Sequence, residues 1–263
     1  MTQTFGHEKL IVYQKAMRFT ALRGTLLDRL PRRVAACEHL ERAAESILVN
    51  IAHASNAWSA NERIVCLGHA NGSALECAAC LDVLGAKTLL SADEVYPGKS
   101  LLAEVVCMLI TMHKTAADRV CEARTVYRTK KGRLFDHEDL DVYQAGLEVV
   151  AWLETMWNVF SCTADLRAKL DKSTTAIVLN IAEGNGRFTG RDQVSFYATA
   201  YKATIQSVAL VDVASANGAA DAAQVESGRE LLRRIAAMLT ALSKSHAEDS
   251  ASNTSSLPLL GYP

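Results

Sequence analysis

The chain has 263 residues, which is enough for one large domain or two small ones, and hydrophobic residues make up 49% of it. Its 28 basic and 29 acidic residues give a net charge of −1, which argues against a protein that binds polyanions over its whole surface. Seven irregularly spaced cysteines and no hydrophobic N-terminal run predict a protein of the reducing cytoplasm without a signal peptide.

The sequence repeats itself at an offset of 130 residues. Phe5–Gln14, FGHEKLIVYQ, recurs as Phe135–Gln144, FDHEDLDVYQ. The same offset pairs Asn50–Ala52 with Asn180–Ala182, Asp82 with Asp212, Gly98 with Gly228, and Met108–Leu109 with Met238–Leu239. Roughly a quarter of the positions match without a gap. Chance does not keep one register over more than a hundred residues, so the chain is an internal duplication of two copies.

Each copy divides into four predicted helices. They cover about 8–30, 33–56, 61–86 and 97–122 in copy one, and about 137–160, 163–185, 190–216 and 221–246 in copy two. The fourth helix shows the pattern most clearly, because Leu102, Val105, Leu109 and Met112 fall at helical spacing. Short connections between long amphipathic helices favour up-and-down bundles. The sequence therefore predicts an all-α fold of two tandem, antiparallel up-and-down four-helix bundles.

Proline and glycine suggest where some helices begin and end. Pro97-Gly98 is predicted to open the fourth helix, where the fixed φ of proline is tolerated. Gly184 is predicted to be the left-handed residue that ends the second helix of copy two, with Asn185-Gly186 continuing the turn. The longest apolar stretch, Leu101–Met112, is shorter than the ~20 residues that span a bilayer, so no membrane segment is expected.

Charge and composition set the predicted domain boundaries. Residues 1–125 form copy one, 126–134 a basic linker with four positive charges, 135–246 copy two, and 247–263 a serine-rich tail expected to be flexible. Copy one is nearly balanced, with 14 basic and 13 acidic residues, whereas the chain from residue 135 onward has 10 basic and 16 acidic residues.

Two short motifs resemble a known family. The first is His-Glu-x-Leu-x-Val-Tyr-Gln, near the start of each copy, and the second is Ile-x-x-Asn-Ile-Ala-Glu-Gly, which copy two carries intact as Ile177–Gly184. In copy one the second motif, Ile47–Ala54, has lost its Glu-Gly pair. A third pattern, Gly-Ser-x-x-Glu, is present only in copy one, at Gly72–Glu76. These features resemble the 23S ribosomal RNA intervening-sequence proteins, to which the accessory variability proteins of diversity-generating retroelements are similar.

The resemblance implies a small, non-enzymatic four-helix bundle that assembles into rings, often of five bundles. Members are encoded within ribosomal RNA insertions or beside reverse transcriptases, and nucleic-acid association is suspected for many of them. The retroelement members are basic, which suits contact with RNA, whereas this chain is neutral. Because a whole number of two-copy chains cannot fill five places, we expect a ring with an even number of bundles, a ring through one copy only, or a dimer.

The two copies keep complementary parts of the motifs. Gly72, Ser73 and Glu76 remain in copy one, and Asn180, Glu183 and Gly184 remain in copy two. One hypothesis is that these residues form a composite interface between unlike copies. The alternative is structural: Gly72 and Ser73 let helices approach closely, while Asn180 and Glu183 satisfy backbone groups at a helix end.

Candidate chemistry is sparse. Cys66, His69, Cys77 and Cys80 are residue types that bind zinc, but they fall in one predicted helix, where Cys66 and Cys77 are about 16 Å apart at ~1.5 Å per residue. One ion cannot reach them all, so no metal site is predicted. The pairs His7-Glu8 and His137-Glu138 lack the second histidine of a metalloprotease motif. With no phosphate-binding glycine loop and no activated nucleophile, we expect no cofactor and no catalysis.

Basic residues provide one candidate contact with a polyanion such as RNA. They are Arg124, Arg128, Lys130, Lys131 and Arg133 in and beside the linker, with Arg187 and Arg191 in copy two. Such charges would bind phosphates without reading sequence. The alternative is that the linker is an exposed, solvated connector. Two functions therefore stay open: an oligomerising adaptor or scaffold that binds an unidentified protein, and an RNA- or ribosome-associated protein.

Overall fold

The computed structural model describes residues 5–31, 33–117, 133–157, 160, 162–217 and 222–254. The described residues form eight α-helices and no β-strand. The helices are α1 (Ile11–Leu27), α2 (Ala35–Ser55), α3 (Ala60–Ala86), α4 (Ala92–Ala117), α5 (Asp141–Met156), α6 (Ala164–Asn185), α7 (Gly190–Ala216) and α8 (Ala222–Thr254).

The helices form two bundles, α1–α4 and α5–α8. Within each bundle a helix packs against its neighbours in chain order, and the last helix packs against the first. That arrangement is the up-and-down bundle expected for short connections. Leucines and isoleucines at helical spacing line both cores, among them Leu40, Ile47, Leu102, Leu109, Leu153, Leu232 and Leu239, all fully buried. The predicted all-α fold of two tandem four-helix bundles is confirmed.

The first helix of each bundle begins later than predicted. The residues before α1 and α5 form short 3₁₀ turns, Gly6–Lys9 and Asp136–Asp139. The carboxylate of Glu8 accepts the backbone N–H of Phe5 at 2.9 Å, and that of Glu138 accepts the N–H of Phe135 at 3.1 Å. Each glutamate therefore closes a separate turn in front of the helix.

Pro97 does not open α4, contrary to the expectation from sequence. The helix begins at Ala92, because Glu94 accepts both the backbone N–H and the hydroxyl of Ser91, each at 2.9 Å. Pro97 lies inside the helix, where it removes one backbone hydrogen bond. The adjacent Gly98 allows close packing, because a Cβ atom there would lie 2.9 Å from Leu81 Cδ1 in α3.

Gly184 does not end α6 in a left-handed conformation, which corrects a second expectation. The helix continues through Asn185, and Gly184 lies in its last turn. A Cβ atom at Gly184 would lie 2.9 Å from both Phe196 Cβ and Tyr197 Cε1. The glycine is therefore needed because α6 and α7 approach closely, and not because of its φ angle.

The C-terminal end of copy two also differs from the expectation. Helix α8 reaches Thr254, so the first eight residues of the segment predicted as a flexible tail, 247–254, are helical. Residues 255–263 and most of the basic linker, 126–132, lie outside the described residues.

Two helices, α3 and α4, are long and apolar enough to cross a membrane by length and composition alone. The apolar window of α3 is 67% buried inside the protein, as in the core helix of a soluble bundle. Helix α4 contributes Leu102, Val105 and Leu109 to the core of its own bundle. Packing inside the protein therefore accounts for most of the apolar window of α3, whereas that of α4 is 28% buried.

Candidate functional site at the contact between the two bundles

The two bundles meet through unlike faces. Helix α3 of copy one packs against α5 and α6 of copy two, and α2 also touches α6, while the equivalent of α3 in copy two, α7, has no such neighbour among the described residues. Fourteen residues of α3 are buried, against seven of α7. The difference arises because α3 is covered by its own bundle on one side and by copy two on the other. The contact is therefore heterologous, joining two different surfaces of equivalent bundles.

A cluster of ionised groups lies in this contact. Lys99 in α4 forms ion pairs with Asp82 in α3, at 2.6 Å, and with Glu138 of copy two. The hydroxyl of Tyr143, a fully buried residue of α5, donates to the second oxygen of Asp82 at 2.8 Å. Burial raises the pKa of the Asp82 carboxyl, and Lys99 opposes that shift. One lysine therefore balances carboxylates from both copies.

His137 lies behind this cluster and is fully buried. Its ring stacks on Phe135 and meets the edge of Tyr143, with centroids 5.4 and 4.7 Å away. Burial first, and then the nearby Lys99 charge, lower the pKa of His137 to about 3. The imidazole is therefore neutral at physiological pH, and it packs as an aromatic ring rather than acting in proton transfer with Glu138.

A second buried lysine joins the copies at the end of α3. Lys87 Nζ lies 2.8 Å from Glu154 and 2.6 Å from Asp171, both in copy two. The other oxygen of Asp171 accepts the backbone N–H of Ala35, at the first turn of α2, at 2.9 Å. Asp171 therefore caps a helix of the other copy, which fixes the relative position of the bundles.

The loop between α6 and α7, Gly186–Phe188, fills a groove on copy one. The backbone oxygen of Gly186 accepts the amide of Asn71 at 2.8 Å. The ring of Phe188 stacks on His113 with centroids 3.7 Å apart and lies against Gly68. The phenyl ring therefore occupies a slot formed by α3 and α4.

Four of the six predicted motif residues meet at this contact. Ser73, Glu76 and Glu183 line a polar pocket of about 380 Å³ together with His39, Arg42, Ser46, Asn50, His69 and Arg187. The guanidinium of Arg187 lies directly above Gly72, where a Cβ atom would be 3.1 Å from its central carbon. Glu183 pairs with Arg187. Burial, and then the Glu76 charge, raise the pKa of Glu183 to about 7 against the opposing effect of Arg187.

The other two motif residues lie within copy two. Asn180 donates its side-chain amide to the carbonyl of Ala176 in its own helix, at 2.7 Å. Gly184 lies against Phe196 and Tyr197 of α7. Both residues therefore act within copy two, and Asn180 bonds inside α6, five residues before the helix ends, rather than at a helix end.

The residues predicted to contact a polyanion are not brought together where they are described. Arg187 is paired with Glu183 and lies over the Phe196 ring, 4.5 Å from its centroid. Arg133 pairs with Asp139 at 2.8 Å, and Arg191 is exposed in the first turn of α7. The remaining members, Arg124, Arg128, Lys130 and Lys131, lie outside the described residues.

The cysteine and histidine pattern of α3 stays spread along one unbroken helix. Cys66, His69, Cys77 and Cys80 all lie between Ala60 and Ala86. Cys77 and Cys80 are fully buried, and burial raises the pKa of both thiols well above the usual value. In the part of the chain that the structure describes, no group of three or more His, Cys, Asp or Glu residues could hold a metal ion.

Several residues of this contact are not singled out by the motifs. Phe188, Lys87 and Lys99 lie in no motif of the family resemblance. The repeat contains a usable signal, however, because Phe188 is matched by Trp58 and Lys99 by Arg229 at the offset of 130. Only about a quarter of the positions are identical between the two copies. A position that nevertheless keeps the same type of side chain in both copies is therefore under a physical constraint.

Comparison with known proteins agrees with the duplication. Searches of the curated proteins and of the solved structures found no match. The profile of one family, the 23S rRNA-intervening sequence protein, matches the chain twice, at residues 8–111 and 138–241. The two matches have the same length and the offset of the internal repeat, and each covers one four-helix bundle. The chain therefore belongs to the 23S rRNA-intervening sequence protein family, as two tandem copies of its domain.

Proposed function

We propose that this protein is a non-enzymatic scaffold that assembles with further copies of itself. One observation carries the proposal. The contact within the chain joins one face of copy one to a different face of copy two. Because the copies are equivalent, each also carries the counterpart of the face that the other copy uses, and this contact leaves those two counterparts unused. Copy one has the counterpart of the face that copy two uses, formed by α1 and by the part of α2 that does not contact α6, and copy two has the counterpart of the main face that copy one uses, formed by α7 and α8. A second chain is the occupant that we propose for both faces.

The uncovered face of copy two keeps the ionic partners of the buried cluster. Asp212 and Arg229 stand where Asp82 and Lys99 stand in copy one, and Arg229 Nε donates to Asp212 at 2.8 Å. The side chain of Asp212 is 49% exposed, whereas that of Asp82 is 14% exposed. Copy two covers the Asp82–Lys99 pair of copy one, whereas the equivalent Asp212–Arg229 pair of copy two stays exposed to solvent.

The uncovered face of copy one keeps the other half of the cluster. Glu8 and Tyr13 are the counterparts of Glu138 and Tyr143. The ring of His7 meets the edge of Tyr13 with centroids 4.8 Å apart, nearly the same geometry as the pair in copy two. The 3₁₀ turn of copy one thus keeps the fold and the glutamate of the turn that docks on copy one, but it is less acidic, because Gly6 and Lys9 replace Asp136 and Asp139.

Symmetry limits the assemblies that this contact can form. A heterologous contact that repeats closes into a ring or continues as a filament. Because each chain supplies two bundles, a closed ring contains an even number of bundles. We therefore propose an even-numbered ring rather than the ring of five that the family resemblance implies.

The six described cysteines are free thiols, which supports a reducing, cytoplasmic setting. In such a scaffold the surfaces outside the contact remain available to bind another protein. The adaptor role is the part of the proposal that depends on a partner of unknown identity.

The test is light scattering on the full chain at low and high salt, with ultraviolet absorbance recorded across the same peak. We expect a protein-only peak at a whole multiple of 28.5 kDa, since apolar contacts resist salt. A peak at the mass of one chain at every concentration would overturn the proposal. A peak rich in nucleic acid that lightens in high salt would instead support RNA association, because phosphate contacts weaken steeply with salt.

A further inference from the structure

The two copies each present one aromatic residue just before a capped helix. Phe188 precedes Thr189, which caps α7, and Trp58 precedes Ser59, which caps α3. Phe188 is 39% exposed because its ring stacks on His113 of copy one. Trp58, at the equivalent position of copy one, is 98% exposed. Tryptophan is among the residue types most enriched at the energetic centres of protein interfaces, and the matching ring of copy two already fills such a contact.

The backbone holds Trp58 in place. Ser59 Oγ accepts the N–H of Glu62 at 3.1 Å, and the carboxylate of Glu62 accepts the N–H of Trp58 at 3.0 Å. This reciprocal arrangement fixes the turn that carries the indole. The backbone at Trp58 therefore loses little conformational freedom when the ring binds.

Copy two has an open pocket at the position where copy one holds Phe188. The pocket has a volume of about 500 Å³. It is lined by Ala198, Tyr201, Lys202, Leu239, Thr240, Ser243 and Lys244. Ala198 and Ser243 are the counterparts of Gly68 and His113, the residues against which the phenyl ring of Phe188 lies. We call this pocket the copy-two seat.

We infer that Trp58 of one chain inserts into the copy-two seat of a second chain. The inference rests on the proposed self-assembly and names the contact through which it occurs. It commits to a second copy of this chain, because the same structural position is already filled by an aromatic ring in the contact between the bundles.

Neighbouring positions have changed in matched pairs. In the contact between bundles, Arg187 lies over Gly72, so a large residue faces a small one. At the equivalent positions the sizes are exchanged, with Ala57 facing Lys202. The change in side-chain size on one face is thus matched by the opposite change on the other face.

The second buried lysine shows the same matching. Lys87 pairs with Glu154 between the bundles at 2.8 Å. At the equivalent positions Asn217 replaces the lysine and Gly24 the glutamate, while Glu41 stands in place of Asp171. Losing the lysine or this glutamate alone would leave an unpaired charge in the contact, so their joint loss fits two surfaces that meet, and the remaining Glu41 lies 3.9 Å from Arg23 of its own copy.

The larger ring of Trp58 agrees with a slightly wider contact. Gly186 lets Leu75 approach the loop, because a Cβ atom there would overlap the leucine side chain. The equivalent residues are Asn56 and Ile205, so side chains on both surfaces keep the chains further apart. An indole reaches further than a phenyl ring and spans the added separation.

Two variants test the insertion by complementation. Trp58→Ala removes the ring but keeps the seat, and Ala198→Arg fills the seat but keeps the ring. Each variant alone should sediment as a single chain of 28.5 kDa, with association at least ~30-fold weaker than in wild type, as for a buried tryptophan at the centre of an interface. An equal mixture should form a species of two chains and nothing larger, because one functional contact is restored. Tyr96→Ala removes another exposed aromatic residue of copy one and should leave the assembly unchanged.

The outcomes separate the two proposals. If wild type assembles and Trp58→Ala keeps the same mass and affinity, the insertion is wrong while self-assembly stands. Failure of the mixture to form a two-chain species, with both variants folded by circular dichroism, would also overturn the insertion. A wild-type chain that never assembles would overturn both.

Discussion

Phe188 of copy two stacks on His113 of copy one, with ring centroids 3.7 Å apart and ring planes 18° from parallel. The pair joins the loop before α7 to the last turns of α4, across the contact between the bundles. Stacked rings in this geometry contribute beyond the area that they bury. The two bundles therefore share stability through a small number of side chains, which makes the contact accessible to mutation.

Phe188→Ala should lower the free energy of unfolding by about 1–2 kcal/mol, less than for a core phenylalanine because the ring is partly exposed. A double-mutant cycle with His113→Ala isolates the stacking. We expect a coupling energy of about 0.5–1.5 kcal/mol from urea denaturation. Additive losses would show that the rings contribute independently.

Lys99→Met should destabilise the protein by about 3–5 kcal/mol, because the carboxylates of Asp82 and Glu138 would remain buried without a counter-charge. Arg229→Met is the matched control at the equivalent position of copy two, where the pair with Asp212 is partly exposed. We expect it to cost less than about 1 kcal/mol. Both are measured by denaturation in the Trp58→Ala chain, so that assembly does not contribute. Equal losses would contradict the burial argument.

Gly186→Ala should destabilise the contact between bundles by about 1–3 kcal/mol. The glycine has φ of −82°, which alanine adopts readily, so the loss would come only from overlap with Leu75. Leu75→Ala in the same chain should recover part of it. Gly24→Ala is the control: nothing lies within 4 Å of its Cβ position in α1, and a gain of about 0.5–1 kcal/mol is expected. If Gly186→Ala instead raised the free energy of unfolding by a similar amount, the side chain of Leu75 could not lie against the loop.

The sequence predicts the helices well and their ends less well. Apolar residues at helical spacing identify the helix cores, because burial acts on every turn alike. The ends depend on single contacts: Glu94 caps α4 before Pro97, and the short distance between α6 and α7 explains Gly184. The cap of α4 is a local contact between residues three apart that apolar periodicity does not register, and the approach of α6 to α7 joins residues of two helices.

The candidate site is predicted in part. Retained motif residues point to Gly72, Ser73, Glu76 and Glu183, which the fold brings to one contact. The aromatic and ionic residues there emerge only when the two copies are compared in three dimensions, since Trp58 and Phe188 have the same local sequence setting. Their surroundings differ because only one of the two faces is covered within the chain.

Stability should depend on pH with opposite contributions from two buried groups. Between pH 6.5 and about 3, His137 is protonated in the unfolded chain but stays neutral in the folded one. The free energy of unfolding therefore falls as pH is lowered, by up to about 1.4 kcal/mol per pH unit. Glu183 acts the other way: between pH 4.5 and about 7 the folded carboxyl binds its proton more tightly than the unfolded one, so stability falls as pH rises. His137→Phe should therefore flatten the acid loss, and Glu183→Gln should steepen it below pH 6.5. Urea denaturation of both variants across this range measures the slopes, and equal slopes in the two variants would show that neither group titrates as the contact requires.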